Sequence, residues 1–176
     1  MPELEIILCD IDRELCDAWR REFRGHDVQV ECGDFFDIEA DAYVSPANSY
    51  GYMDGGFDLL LRDRFPGIQE IVQGHIGRLG GMLPVGRAIV VETEDPYVPY
   101  LVCAPTMEIP SAVAHTSNAY LAMSALLMAV ADHRRDFPDG IRSIVIPGLA
   151  TGIGCMPPHV ASEQMAIAFR EHFGLD

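Results

Sequence analysis

Ile144-Val145-Ile146-Pro147-Gly148-Leu149-Ala150-Thr151-Gly152-Ile153-Gly154-Cys155-Met156-Pro157-Pro158 joins an apolar, β-branched run to a glycine-rich turn and then to a segment opened by proline. This order predicts a strand, a tight connection and a helix, because proline fits the first helical turn, where its missing N–H leaves nothing unpaired. Glycines let a ligand approach the main chain, successive N–H groups converge on oxygen, and the following helix presents its positive end. The turn is thus a candidate anion cradle. No basic residue lies between Arg142 and Arg170, so an anion held here is balanced by backbone dipoles. The same glycines also serve a tight turn with no ligand at all.

A second stretch repeats the plan. Val44-Ser45-Pro46-Ala47-Asn48-Ser49-Tyr50-Gly51-Tyr52-Met53-Asp54-Gly55-Gly56-Phe57-Asp58 again runs from strand to glycine-containing loop to helix. Both loops are expected to leave the carboxyl ends of strands, the edge where open α/β sheets bind ligands. Neither carries the Gly-x-Gly-x-x-Gly of a dinucleotide fold or the Gly-x-Ser-x-Gly of a hydrolase elbow. Instead the amide Asn48 precedes the carboxylate Asp58 by ten residues. Beside an anion cradle this pairing suits a sugar: the amide orients hydroxyls, and the carboxylate positions or activates water. Asn48 equally serves a turn, and Asp58 the first turn of a helix.

Outward from these loops, short apolar runs at 4–9, 28–32, 42–45, 88–91, 100–104 and 143–146 predict six strands. Segments 13–23, 57–64, 67–76, 119–133 and 160–172 carry apolar residues at helical spacing. Alternating strands and helices argue for an α/β fold, a three-layer α/β/α sandwich with both sheet faces covered. Between 88–91 and 100–104 there is too little chain for a crossover helix, so that pair is expected to be an antiparallel hairpin. The six-stranded sheet is therefore mixed, mostly parallel. The punctuated stretch 74–86 reads as a connection.

The chain has 176 residues, 49% of them hydrophobic, which fits one domain spanning 1–176. Its formal charge of −15 argues against nucleic acid or an anionic membrane as partner. All 12 basic residues are arginine, which excludes chemistry that needs a lysine. The cysteines at 9, 16, 32, 103 and 155 form no Cys-x-x-Cys pair, and no metal or cofactor is expected. Odd, irregular cysteines suggest a reducing compartment, and the apolar segment 119–131 is too short to span a bilayer, so a soluble cytoplasmic protein is expected. Cys155 and His159, separated by two prolines, are weak candidates for catalysis, and Tyr50, Tyr52 and Phe57 fit either ligand stacking or loop closure.

In these features the sequence resembles the macrodomain family, whose members bind ADP-ribose and in some branches hydrolyse ADP-ribosyl bonds or related metabolites. The resemblance runs from about residue 30 to 168. It rests on Cys32-Gly33-Asp34, Asp41-Ala42-Tyr43-Val44-Ser45-Pro46-Ala47-Asn48-Ser49, Asp54-Gly55-Gly56-Phe57-Asp58 and the run from Ile146 to Gly154 quoted above. It implies that Asp34 accepts a hydrogen bond from the adenine amino group and that Asn48 contacts the distal ribose, with Asp58 as the acid beside that sugar. Ala47, Gly55 and Gly56 then belong to the ligand-binding loop, while Gly148, Ala150, Thr151, Gly152, Ile153 and Gly154 wrap the pyrophosphate. The implied partner is ADP-ribose or an ADP-ribosylated protein, and the implied catalytic residues are Asp58 and Asn48.

The sequence departs from the family pattern at Ser45, where an asparagine usually stands, at Pro46, which replaces an alanine, and in a glycine run shortened to Gly55-Gly56. The loop also resembles that of a divergent bacterial and phage-associated macrodomain group with Pro-Ala-Asn and Met-Asp-Gly-Gly at this place. Asp54 adds a carboxylate that suits an acid, a water holder or a source of repulsion. Three functions fit: an ADP-ribosyl hydrolase, a non-catalytic ADP-ribose recognition module, and a structural or assembly protein on the same scaffold.

Overall fold

The computed structural model describes residues 3–175. Six strands form one sheet: β1 (Glu5–Asp10), β2 (Gln29–Cys32), β3 (Ala42–Ser45), β4 (Ile89–Glu92), β5 (Tyr100–Cys103) and β6 (Ser143–Ile146). Their spatial order is β2-β1-β6-β3-β5-β4. Among the described residues only the β4–β5 pair is antiparallel; the other strand pairings are parallel. The sheet is therefore mixed and mostly parallel, with the hairpin where its short connection requires it. Asp95 holds that connection, accepting from the amides of Tyr97 and Val98 and from Arg64 at 2.6 Å.

Strand periodicity sorts side chains to two cores. Ile6, Leu8, Val44, Val102, Ile144 and Ile146 face one side, and Ile7, Cys9, Tyr43, Leu101, Cys103 and Val145 the other. The first face is covered by α1 (Arg13–Glu22), α4 (Asn118–Asp136) and α5 (Pro158–Phe173); the second by α2 (Gly56–Arg64) and α3 (Ile68–Arg78). This is the three-layer α/β/α sandwich.

Helix ends follow their residues. Asp12 caps α1 by accepting from Glu14 N, and the helix finishes on Arg20 and Arg21, which complement the dipole. In α5, Pro158 takes the first position and Gly174 closes the helix at φ 64°. Helix α3 runs through Gly74 and Gly77 to Arg78, so the connection expected from residue 74 starts later. Buried Val72 and Ile76 offset the poor helix propensity of the glycines.

Candidate functional site

β1, β3 and β6 end on the same edge of the sheet, and their loops open into a cleft of about 800 Å³. The loop after β3 supplies Ala47, Asn48, Gly55 and Gly56, and α2 adds Asp58; the loop after β6 supplies Gly148, Ala150, Thr151, Gly152, Ile153 and Gly154. The two loops meet. A Cβ on Gly56 would lie 3.1 Å from Ile153 Cδ1, so the Ile153 side chain reaches across to the β3 loop and a larger residue at 56 would require it to shift. Gly56 also has φ +59°, where an L side chain is strained.

The β6 loop is shaped by close approaches. A Cβ on Gly154 would sit 2.5 Å from Ala150 O and 2.8 Å from Val113 Cγ2. Ala150 itself holds φ 64°, an uncommon value for a non-glycine residue, fixed by the 2.9 Å bond from Met156 N to its carbonyl. The amides of Thr151, Gly152 and Ile153 donate to no other group among the described residues. At the facing loop, α2 begins on Gly55 with no side-chain cap. Open N–H groups and a helix N-terminus therefore border one cleft, the electrostatics an anion requires.

Segment 104–117 fastens both loops, an arrangement with no periodic signature in sequence. Ala104 N donates to Ser45 O, Thr106 N to Ala47 O and Val113 N to Gly154 O, each within 3.0 Å. Thr106 and Met107 in this way become part of the cleft wall.

Asp58 is 8% exposed and accepts a 2.6 Å hydrogen bond from Ser45 Oγ. Burial raises its pKa from 3.8 to about 6, against the smaller lowering effect of the serine bond. Ser45, at the position where the family pattern has asparagine, thus serves the acid directly. Asn48 is engaged with its own loop: Oδ1 accepts from Tyr50 N and Tyr52 N, and Nδ2 donates to Tyr52 O at 2.7 Å. Asp54 lines the cleft with its charge balanced by Arg62 at 2.7 Å. Tyr52 and Phe57 reach the lining, whereas Tyr50 points its hydroxyl at Glu108.

Asp34 stands apart from the other expected residues. Its carboxylate accepts from Phe36 N at 2.9 Å and caps a 3-10 helix at Phe35–Asp37, and it is not among the residues lining the cleft. The lining at that end comes from Asp10, Ile11 and Asp12, which sequence reading did not single out. The signal was available: a parallel strand over 4–9 must end on the same edge as the glycine loops. Among the described residues, no group of three or more His, Cys, Asp or Glu side chains is placed to hold a metal ion, and no helix is long and apolar enough to cross a membrane.

Sheet order and cleft together define an α/β/α domain with a cleft at the carboxyl ends of its parallel strands. Residues 26–173 match the family described as the macro-like domain, and the chain belongs to that family. It is 30% identical over 145 residues to an uncharacterized protein of Aquifex aeolicus, covering 82% of each chain. Its fold is similar to the macrodomain of Mycobacterium tuberculosis DarG (TM-score 0.63, 22% identity, 82% of this chain and 90% of that one). It is similar also to Thermosipho africanus DarTG in complex with ADP-ribose (TM-score 0.62, 15% identity, 95% of this chain and 50% of that one).

Proposed function

We propose that the cleft binds ADP-ribose, free or attached to protein, and that Asp58 acts as general base in hydrolysis at the distal ribose. The observation that carries this reading is the contact between the two glycine loops through Ile153 and Gly56, which makes one cleft of two backbone cradles. Main-chain donors, with no arginine among the lining residues, suit a diphosphate shared between loops. The strand order supports the placement of the rest. β6 lies between β1 and β3, so a diphosphate at the β6 loop directs one end of the ligand toward Asn48 and Asp58 and the other toward the β1–β2 edge, where Asp34 is the acceptor assigned to the adenine amino group.

The chemistry follows from Asp58. A carboxylate with a pKa near 6 is ionised at neutral pH yet remains basic enough to take a proton. Ser45 holds Oδ1, leaving Oδ2 for water. As water attacks the anomeric carbon, its proton passes to Asp58 and the bond to the leaving group breaks, the electron pair departing with that group. Asn48 orients the ribose hydroxyls in this reading.

A second reading, recognition without turnover, is favoured by the engagement of both ends of the Asn48 amide with Tyr50 and Tyr52. Calorimetry with ADP-ribose, followed by chromatography of ADP-ribosylated protein and O-acetyl-ADP-ribose after incubation, separates the two. Binding with product supports the hydrolase; binding without product supports the recognition module. No heat at millimolar ligand overturns both and leaves a scaffold without nucleotide.

A further inference from the structure

The cysteines at 9, 16, 32, 103 and 155 are all free thiols, and two of them come together outside the cleft. Val30 packs against the core beneath α1, so the period of two places Cys32, at the end of β2, on that same face. Cys16 meets it there from the start of α1, its own side chain part of that core. Cys9 belongs to the opposite face.

One carbonyl fixes the approach. Asp10 stands opposite Cys32 in the β1–β2 ladder, and its carbonyl accepts from Gly33 N at 3.1 Å and from Cys16 Sγ at 3.3 Å. Cys16 Sγ also lies 3.8 Å from Glu31 O, the carbonyl bonded to the Cys32 nitrogen. The backbone on both sides of Cys32 is thus anchored around the Cys16 sulfur, and the two thiols are within hydrogen-bonding reach of each other. Their surroundings differ: Cys16 is 0% exposed, whereas Cys32 is open to solvent. A buried cysteine alone is ordinary core. A buried thiol set against an exposed one has the arrangement of a resolving and a reacting sulfur.

We propose that Cys16 and Cys32 form an oxidant-responsive pair, in which a hydroperoxide oxidises Cys32 and Cys16 resolves the product to a disulfide tying α1 to β2. The Cys32 thiolate attacks the O–O bond and takes one oxygen as a sulfenic acid, while the other departs as water or an alcohol. The Cys16 sulfur then attacks the Cys32 sulfur. The S–S bond forms, the S–OH bond breaks, and the Cys16 proton leaves with that hydroxyl as water, so two electrons have passed from the thiols to the peroxide. Burial and the neighbouring Cys32 push the Cys16 thiol up to about 12, which keeps Cys16 from reacting first and makes the second step the slow one. Proximity of the two sulfurs offsets that. The bridge staples β2, an edge strand, to the helix that follows β1, and neither cysteine lines the cleft, so the pair responds whatever the cleft binds.

Treatment of the full chain with hydrogen peroxide, then alkylation with N-ethylmaleimide in denaturant and mass spectrometry of the digest, reads the pair directly. The wild type is expected to yield a Cys16–Cys32 link as its main disulfide, reversed by dithiothreitol. Its oxidised form should melt about 5 °C above the reduced one, because the bridge restricts the unfolded chain. Cys32→Ser, at an exposed position, should form no such link and gain no stability on oxidation. Cys16→Ser should leave Cys32 as a sulfenic acid that dimedone captures several-fold more than in the wild type. Equal capture in the two proteins, or a wild-type Cys32 joined chiefly to Cys155 of a second copy, overturns the pair. Should Cys16→Ser not fold, the disulfide maps of the wild type and Cys32→Ser decide alone.

Discussion

Ser45 Oγ donates to Asp58 Oδ1 at 2.6 Å, and the two side chains are 1% and 8% exposed. The serine ends a central strand and the acid opens the helix after the loop, so the bond closes the β3 loop at its base. It also sets how Asp58 holds its proton.

Replacing Asp58 by Asn tests the cost of that buried charge. The folded acid has a pKa near 6 against an ordinary 3.8, so burial penalises the fold where the carboxylate is ionised in both states, above pH 6. The penalty fades as pH falls from 6 toward 4, since protonation then favours the folded form. Asp58→Asn should therefore be more stable than the wild type at pH 8 by on the order of 2–3 kcal/mol, and nearly equal below about pH 4, as urea unfolding at the two pH values would show.

Ser45→Ala removes the serine donor to that carboxylate. Asp58 should then titrate higher than about 6, because the bond lowers its pKa. Carboxyl carbon chemical shifts followed through a pH titration would read this directly. If Asp58 is the general base, the rising limb of kcat/KM against pH should move upward with it. A limb that stays in place removes Asp58 from the proton transfer.

Asp58→Ala separates chemistry from binding. Turnover should fall while ADP-ribose affinity stays within about tenfold, a difference of roughly 1.4 kcal/mol. Unchanged activity would exclude this acid from the reaction.

Within the β6 loop, Gly154→Ala and Gly152→Ala form a matched pair. The first places a Cβ 2.5 Å from the carbonyl of Ala150, whereas the second meets nothing within 4 Å. Gly154→Ala is expected to lose about 1–3 kcal/mol of stability and Gly152→Ala less than about 0.5, measured by thermal unfolding.

For Asp34, capping and base recognition are separable. Asn caps as well as Asp, so Asp34→Asn should unfold like the wild type, while Asp34→Ala loses about 1 kcal/mol. If the carboxylate receives the adenine amino group, both variants weaken ADP-ribose; if it only caps, Asp34→Asn binds normally.

The strands and the two glycine loops were legible because apolar runs and glycine clusters are local patterns. All six strands formed within a residue or two of their expected bounds, and the mixed sheet followed from the short chain between β4 and β5. The less legible features join residues far apart in sequence. Ser45 and Asp58 are 13 residues apart, and Asp10 reaches Gly148 across 138. Segment 104–117 is positioned largely by backbone bonds, which carry no residue signature, with Thr106 Oγ1 adding a bond to Pro46 O. At Asp34 the pattern that points to a ligand role coincides with a local one, Oδ1 accepting from the Phe36 amide.

The position of β1 also bears on how the molecule is dissected. Among the described residues β2 pairs only with β1, so a fragment cut at the family boundary would strand β2 and turn β6 into a bare edge. Such a piece invites association with foreign strands. Its insolubility would report on the missing staple of the sheet, not on the pocket.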